Sequence, residues 1–311
     1  MDAQATVGVV VPTWNRAAVA LRCLRALSAA THVRRFVVVV DNGSGAAERD
    51  ALIAGAAEYA GVDVVALDEN RGFAGAVNVG LAEAFARGAA AALIVNDDAE
   101  VTPDLITLLL GAASSAPAAG ILAPRVLDLG SGREVSRGER LSLPLLCLPR
   151  TWLRVRGGTA TPYPVSGVLG VAFLVTHACY ASIGPLAETF FAYYEEVDYC
   201  LRARAAGFEI VVVPAAVVRH AGFRGFAGGF SPLAAYLKAR NLPLLVRRHG
   251  DAADWTLFLP TYAALLLASG ALYAARRGGT AVVAALARGV ADGLRARSGP
   301  PPAALVRPTA A

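Results

Sequence analysis

Short apolar runs rich in β-branched residues alternate with stretches of helical spacing along this chain. Thr6 to Val11 is such a run, and Pro12 stops it. Arg16 to Ala30 carries Val19, Leu21, Leu24 and Leu27 at helical spacing and predicts a helix. Phe36 to Val40 is continuously apolar, the mark of a buried parallel strand. A helix over Glu48–Ala60, a strand over Val62–Leu67, a helix over Gly75–Arg87 and a strand over Ala91–Val95 continue the rhythm. This β-α-β-α-β-α-β order predicts an α/β fold, a doubly wound and mostly parallel sheet flanked by helices.

The pattern loosens further along. A helix is expected over Pro103–Leu110 and a strand over Ile121–Leu127. Residues 130–164 are rich in Arg, Gly and Pro and predict a long loop or short hairpins over the site. A strand over Gly170–Val175, a helix over Phe190–Ala206 and a strand over Glu209–Val213 ended by Pro214 follow. From Phe223 the composition shifts, with Gly225, Gly228 and Gly229 among Phe223, Phe226 and Phe230. Leu233–His249 reads as a basic-ended helix and Val282–Arg297 as an amphipathic one, before a Pro-rich tail expected to be disordered. The expected division is a catalytic unit over residues 1–225 and a helical extension over 226–311.

Between the last two helices, Trp255 to Ala275 holds no charge and ends in Arg276-Arg277. Its length approaches the ~20 residues that span a bilayer, although Pro260 and Gly270 interrupt it. Hydrophobic residues make up 56% of the 311, and the mean hydropathy is +0.50. Charged residues at 17% fall below the usual ~25%. These values favour membrane contact over disorder. A net charge of +5 suits an anionic partner. Cys23, Cys147, Cys179 and Cys200 lie far apart, which argues against a zinc site or a disulfide framework. The N-terminus shows no signal-peptide pattern, so a cytosolic catalytic unit is expected.

Four motifs carry the candidate chemistry. They are Pro12-Thr13-Trp14-Asn15-Arg16, Asp41-Asn42-Gly43-Ser44, Asn96-Asp97-Asp98 and Glu195-Glu196-Val197-Asp198. The first three end apolar strands, and open α/β sheets bind ligands beyond the carboxyl ends of their strands. Hard oxygens at such an edge suit Mg²⁺ or Mn²⁺ shared with substrate phosphates. Taken alone, Asp98 also fits a helix cap, and Asp41-Asn42-Gly43 an ordinary turn. Asn70-Arg71-Gly72 before a helix, with Asn78 inside it, allows close backbone approach to a phosphate. Three carboxylates within one turn at 195–198 imply raised pKa values or a nearby cation. Asp198 and Arg202 are one turn apart and can pair. His220 is a third metal-ligand candidate, and Arg240-Asn241 a phosphate contact or a solvated basic face.

With these residues in view, the chain resembles the inverting glycosyltransferase family 2, of GT-A fold, and within it a bacterial rhamnosyltransferase-type branch. The likeness spans about residues 6–245. It implies nucleotide-sugar contacts at Pro12, Thr13, Asn15, Arg16, Asp41, Asn42, Asn70, Arg71, Gly72, Asn78, Asn96 and Asp97. It implies metal ligation by Asp98 and His220, with Mg²⁺ or Mn²⁺ as cofactor. The family's second acidic position, the expected base, is Glu196 here rather than Asp, with Glu195 and Asp198 as the neighbouring acid–base candidates. The implied partners are a nucleotide-diphosphate sugar, dTDP-rhamnose first, and a polyprenyl-diphosphate-linked or polysaccharide acceptor. They also include the cytosolic membrane surface; nucleic acid is not among them. A nucleotidyltransferase, or a non-catalytic sugar-nucleotide-binding membrane protein, would share the layout. The basic, Gly-rich N-terminal loop of the former is missing.

Overall fold

A computed structural model describes residues 5–32, 34–145, 155, 158, 160–221, 231–276 and 278–306. In chain order the N-terminal half is β1 (Val7–Thr13), α1 (Ala17–Ser28), β2 (Arg35–Asp41), α2 (Ala46–Ala56), β3 (Val62–Ala66), α3 (Gly72–Ala86) and β4 (Ala91–Val95). Then come β5 (Ala99–Val101), α4 (Leu105–Ser115), β6 (Ala119–Asp128), β7 (Glu134–Ser136), β8 (Tyr163–Val165), β9 (Ala172–Thr176) and α5 (His177–Ile183). The chain continues through α6 (Glu195–Ala205), β10 (Glu209–His220), α7 (Pro232–His249), α8 (Ala252–Ala274), α9 (Gly279–Leu294) and α10 (Ala303–Val306).

The main sheet runs β3-β2-β1-β4-β9-β6-β10-β5. The four strands of the N-terminal half are parallel, as the buried apolar runs predict. Beyond β4 the sheet is mixed: β9 is antiparallel to both β4 and β6, β10 is parallel to β6, and β5 is antiparallel to β10. Both faces are covered. One core layer joins Leu24, Leu27, Leu93, Leu105 and Leu109, and the other joins Val77, Leu81, Ile94, Phe173 and Tyr199. Small residues let α3 lie close to β1: a Cβ on Gly80 would meet Val10 Cγ1 at 2.2 Å.

Several expectations change. The helix expected from Phe190 begins at Glu195. Ahead of it, Phe191, Tyr193 and Tyr194 all have positive φ, at 65°, 69° and 72°. A helix cannot pass through that geometry. Pro214 does not end its strand, because β10 runs on to His220 with a bulge between Val213 and Val217 that accommodates the proline. Asp98 does not cap α4, because β5 intervenes. Helix α8 passes through Pro260 and Gly270 and starts at a capping box of Asp251 and Asp254. The tail expected to be disordered is tied down as far as α10. Gly299 N–H donates to Thr189 O, and Pro301 is buried. Parts of the 130–164 segment, the Gly/Phe stretch 223–230 and Cys147 lie outside the described residues.

Helices α7, α8 and α9 pack as a layer against the start of α6. Phe190, Val197, Leu242, Leu245, Phe258 and Tyr262 form its core, and Tyr262 donates its hydroxyl to Ala239 O at 2.6 Å. This layer completes the wall of the site, so the helical extension is structurally part of it.

Candidate active site

The register places Thr13 beside Asp41, and the ends of β1 and β4 lie side by side. An open cavity of about 520 Å³ lies over this edge, within the usual size of small-molecule sites. Pro12, Thr13, Arg16, Asn42, Asn70 and Gly72 line it from the first motifs, and Asn96, Asp97 and Asp98 from the end of β4. His220, Glu195 and Glu196 line it from the later chain, and the start of α7 closes it.

The carboxylates at this edge form one network. Thr13 donates its hydroxyl to Asp97 at 2.8 Å, and Arg16 pairs with Asp97 at 3.1 Å and Asp98 at 3.2 Å. His220 Nε2 contacts Asp98 at 2.8 Å, and Asn96 Nδ2 lies 3.4 Å from the same ring nitrogen. Burial pushes the Asp97 carboxyl up to about 6, against the pull of Arg16 and Thr13. Burial also acts on Asp98, but the His220 hydrogen bond and charge together with Arg16 outweigh it and hold that carboxyl below its ordinary range. His220 ends β10 beyond the bulge between Val213 and Val217, and reaches Asp98 just past the end of β4.

A divalent cation fits this corner in part. Asp98 and His220 supply a hard oxygen and a nitrogen. Asn96 Oδ1 is a third oxygen, buried with no hydrogen-bond partner. Among the described residues no cluster of three His, Cys, Asp or Glu side chains assembles. The remaining ligands would come from a bound phosphate, the usual habit of Mg²⁺ sites.

Several of the candidate residues build the frame around the cavity. Asp41 is fully buried, pairs with Arg49 at 2.9 Å and accepts from Ser44 N–H. Asn15, at φ 51°, accepts from Gly45 N–H while its own N–H donates to Ser44 Oγ. Asn42 accepts from Arg71 N–H and donates to Asn70 Oδ1 and Gly72 O, fixing the turn into α3. The side chains of Arg71 and Asn78 both bond Glu188, a partner that sequence reasoning missed. Gly72 needs its φ of 75°, and a Cβ there would come within 2.3 Å of Phe191 O.

At α6 the three acids part company. Glu195 and Glu196 are buried and line the cavity. Asp198 is not among the lining residues, and its carboxylate pairs with Arg202 at 2.8 Å, His249 at 2.7 Å and Arg248 at 2.9 Å. Burial raises its pKa less than the His249 hydrogen bond and Arg202 lower it, so the net shift is downward, and of the two expectations the nearby cation, with the Asp198–Arg202 pair, holds here. Asp198 anchors α6 to α7.

Arg240 and Asn241 are neither a phosphate contact nor a solvated face. Both are buried, at 1% and 0% exposure. Asn241 Nδ2 donates to the carbonyls of Phe190, Ala192 and Tyr193 at 2.8–3.0 Å. Arg240 donates to Phe190 O at 2.8 Å and Gly299 O at 2.6 Å. The two residues hold the left-handed loop that delivers Glu195 and Glu196.

A mixed α/β sheet gathers acidic side chains at its strand ends, and Glu195 and Glu196 line the same cavity from a later chain segment. The chain belongs to Glycosyl transferase family 2, whose sequence model matches residues 8–169. Within it the chain is rhamnosyltransferase-like. It is 29% identical over 276 residues to the N-acetylglucosaminyl-diphospho-decaprenol L-rhamnosyltransferase of Mycobacterium tuberculosis, covering 80% of this chain and 88% of that one. It is 24% identical over 224 residues to the dTDP-rhamnosyl transferase RfbF of Shigella flexneri, covering 69% and 71%. Among solved structures, the mannosyltransferase PcManGT from Pyrobaculum calidifontis in complex with GDP-Man and Mn²⁺ matches with a TM-score of 0.58 at 19% identity, over 93% of this chain and 87% of that one. S. aureus TarS 1-349 matches at 0.57 and 15% identity, over 94% and 82%. These structural likenesses carry the GT-A-like fold.

Proposed function

We propose that this glycosyltransferase moves rhamnose, by a single inverting displacement, from a nucleotide-diphosphate sugar to a lipid-linked or polysaccharide acceptor in cell-envelope synthesis. The observation that carries the reading is the shared cavity of Glu196 with the Asp98–His220 corner. Glu196 takes the proton from an acceptor hydroxyl. The freed oxygen bonds to the anomeric carbon while the bond to the nucleoside diphosphate breaks. Glu195 is the neighbouring carboxylate on the same wall.

Asp98, His220 and Asn96 Oδ1 are the residues that would hold Mg²⁺ or Mn²⁺. That ion would offset charge on the departing diphosphate. Arg16 neutralises Asp97 and Asp98 and can turn to the phosphates instead. The Pro12–Arg16 turn, Asn42 and Asn70 shape the nucleoside end, and the buried Asp41–Arg49 pair supports it. dTDP-rhamnose is the favoured donor, in line with the names of the relatives.

The C-terminal helix α8 attaches the enzyme to the cytosolic membrane face. It is 23 residues long and apolar, with Arg276 just beyond its end. Phe258 and Tyr262 are buried against α7, whereas Leu257, Leu259, Leu267 and Leu272 are exposed, Leu267 at 76%. One face belongs to the protein and the other is apolar and bare, which suits a helix that anchors the protein to a bilayer, lying on it or crossing it. The test is a panel of sugar nucleotides with Mg²⁺ or Mn²⁺ and a membrane lipid extract, following nucleoside diphosphate release. Release from dTDP-rhamnose that stops with chelator supports the reading, and silence with every donor contradicts it.

A further inference from the structure

The chain contains 28 arginines and a single lysine, Lys238. That lysine lines the active cavity, on the wall built by α7. Arginine is the basic residue everywhere else, so composition does not account for the exception. The two side chains differ physically: guanidinium is a flat fork of five donors, and ammonium a compact point charge on a flexible stem. A site that must meet a mobile, freely rotating phosphate suits the second.

The surroundings narrow the ligand. Lys238 Nζ lies 4.9 Å from the centroid of the Tyr193 ring, within the range of a cation–π contact. Tyr193 is 36% exposed and lines the same cavity. Asn241 holds its carbonyl, and with it the left-handed backbone that turns the ring toward Lys238. Leu233, Ala234 and Leu237 line the cavity on the same helix, within two turns of the lysine. The α7 wall is thus apolar with one cation and one aromatic face. The Asp97–Asp98–His220 corner, by contrast, is acidic and polar. A sugar linked through diphosphate to a prenyl chain matches the wall part by part: a ring for Tyr193, a phosphate for Lys238 and a hydrocarbon for the leucines.

We propose that Lys238 and Tyr193 form the subsite that holds the diphosphate of a prenyl-linked acceptor. The assignment rests on the transferase reading above and deepens its acceptor half. The shared chemistry is a diphosphate, which the nucleotide donor also carries, so the test has an arm for each.

A single lysine is a built-in reporter. Reductive ¹³C-methylation of the full-length protein keeps its charge and yields one side-chain signal, separable from that of the terminal amine. Farnesyl diphosphate, added without donor, should shift that signal saturably, and dTDP with Mg²⁺ should not. Lys238→Met should raise KM for a lipid-linked acceptor about tenfold, the size of one lost charge-assisted contact, and move donor KM by less than about twofold. A shift with dTDP but not with farnesyl diphosphate would assign the lysine to the donor and overturn the proposal. No shift with either would remove the subsite altogether. Nucleotide binding in the same sample, read by calorimetry, and wild-type turnover report on the transferase reading separately. An unresponsive lysine in an active enzyme sinks only the subsite.

Discussion

The cavity has two walls that are made in different ways. The strand-end wall, from Pro12 to Asp98, consists of short continuous motifs at the ends of β1, β2 and β4, joined by contacts such as Thr13–Asp97 and Arg16–Asp98. The α6–α7 wall places Glu195 and Glu196 through a loop with three left-handed non-glycine residues, held by two buried side chains about fifty residues away in sequence. Such backbone conformations are costly and persist only where surrounding structure fixes them. The first wall follows from a parallel sheet; the second exists only once α7 has docked. The comparison teaches that the strand-end carboxylates and the α6 carboxylates are positioned by different parts of the chain, which under the proposed function separates donor from acceptor chemistry.

The largest effect that would break this division is at Glu196. Glu196→Gln should lower turnover by about 10³-fold or more, within the range for a lost general base, while donor affinity measured by calorimetry stays near wild type. Near-normal turnover would hand the role to Glu195. On the opposite wall, Asp98→Asn should reduce kcat/KM about a hundredfold, a typical loss for a disturbed metal corner, and should weaken donor and Mn²⁺ binding together. If both variants lose donor binding alike, the walls are not separate.

Asn241→Ala sharpens the comparison without touching the cavity. It strands three carbonyls of the acid-bearing loop, and should destabilise the fold by about 3 kcal/mol in urea titration. Turnover should fall with it, and donor affinity should change far less.

The smallest effect is a pH dependence confined to the strand-end wall. The Asp97 carboxyl is raised to about 6 in the folded protein. Its contribution to stability is therefore full below about 4 and is lost as pH rises through 6. Between pH 4 and 7 the wild type should lose on the order of 2 kcal/mol relative to Asp97→Asn in metal-free buffer. Asp198 acts in the opposite sense, because its lowered pKa gives stability that disappears as pH falls. The difference between wild type and Asp97→Asn isolates Asp97 from it. A flat difference would mean that Arg16 keeps Asp97 ionised throughout.

The sequence shows the two walls unequally for the same physical reason. Val37–Val40 followed by Asp41, and Ala91–Val95 followed by Asn96-Asp97-Asp98, announce buried strands and their polar ends by local pattern alone. The mixed half of the sheet is not local: β9 and β6 run antiparallel where the β-α rhythm suggests more parallel strands. The apolar and aromatic run Phe190–Tyr194 has helical composition but left-handed geometry, imposed by Asn241, Arg240 and Gly72 from elsewhere. Pro214 looks like a terminator because a bulge is invisible in sequence. Asp198 shares a motif with Glu196, yet Arg202, Arg248 and His249 draw it away. Lys238 was detectable by counting, as the one departure from an all-arginine habit.

The most direct test of the central claim, one displacement driven by Glu196 from the α6–α7 wall, is the configuration of the bond the enzyme makes. The product formed from a nucleotide-diphosphate sugar of known anomeric configuration should be isolated, and its one-bond C–H coupling at the anomeric carbon measured by NMR. The inverted configuration is the predicted result. Retention would require a covalent or double-displacement route and would contradict the role given to Glu196.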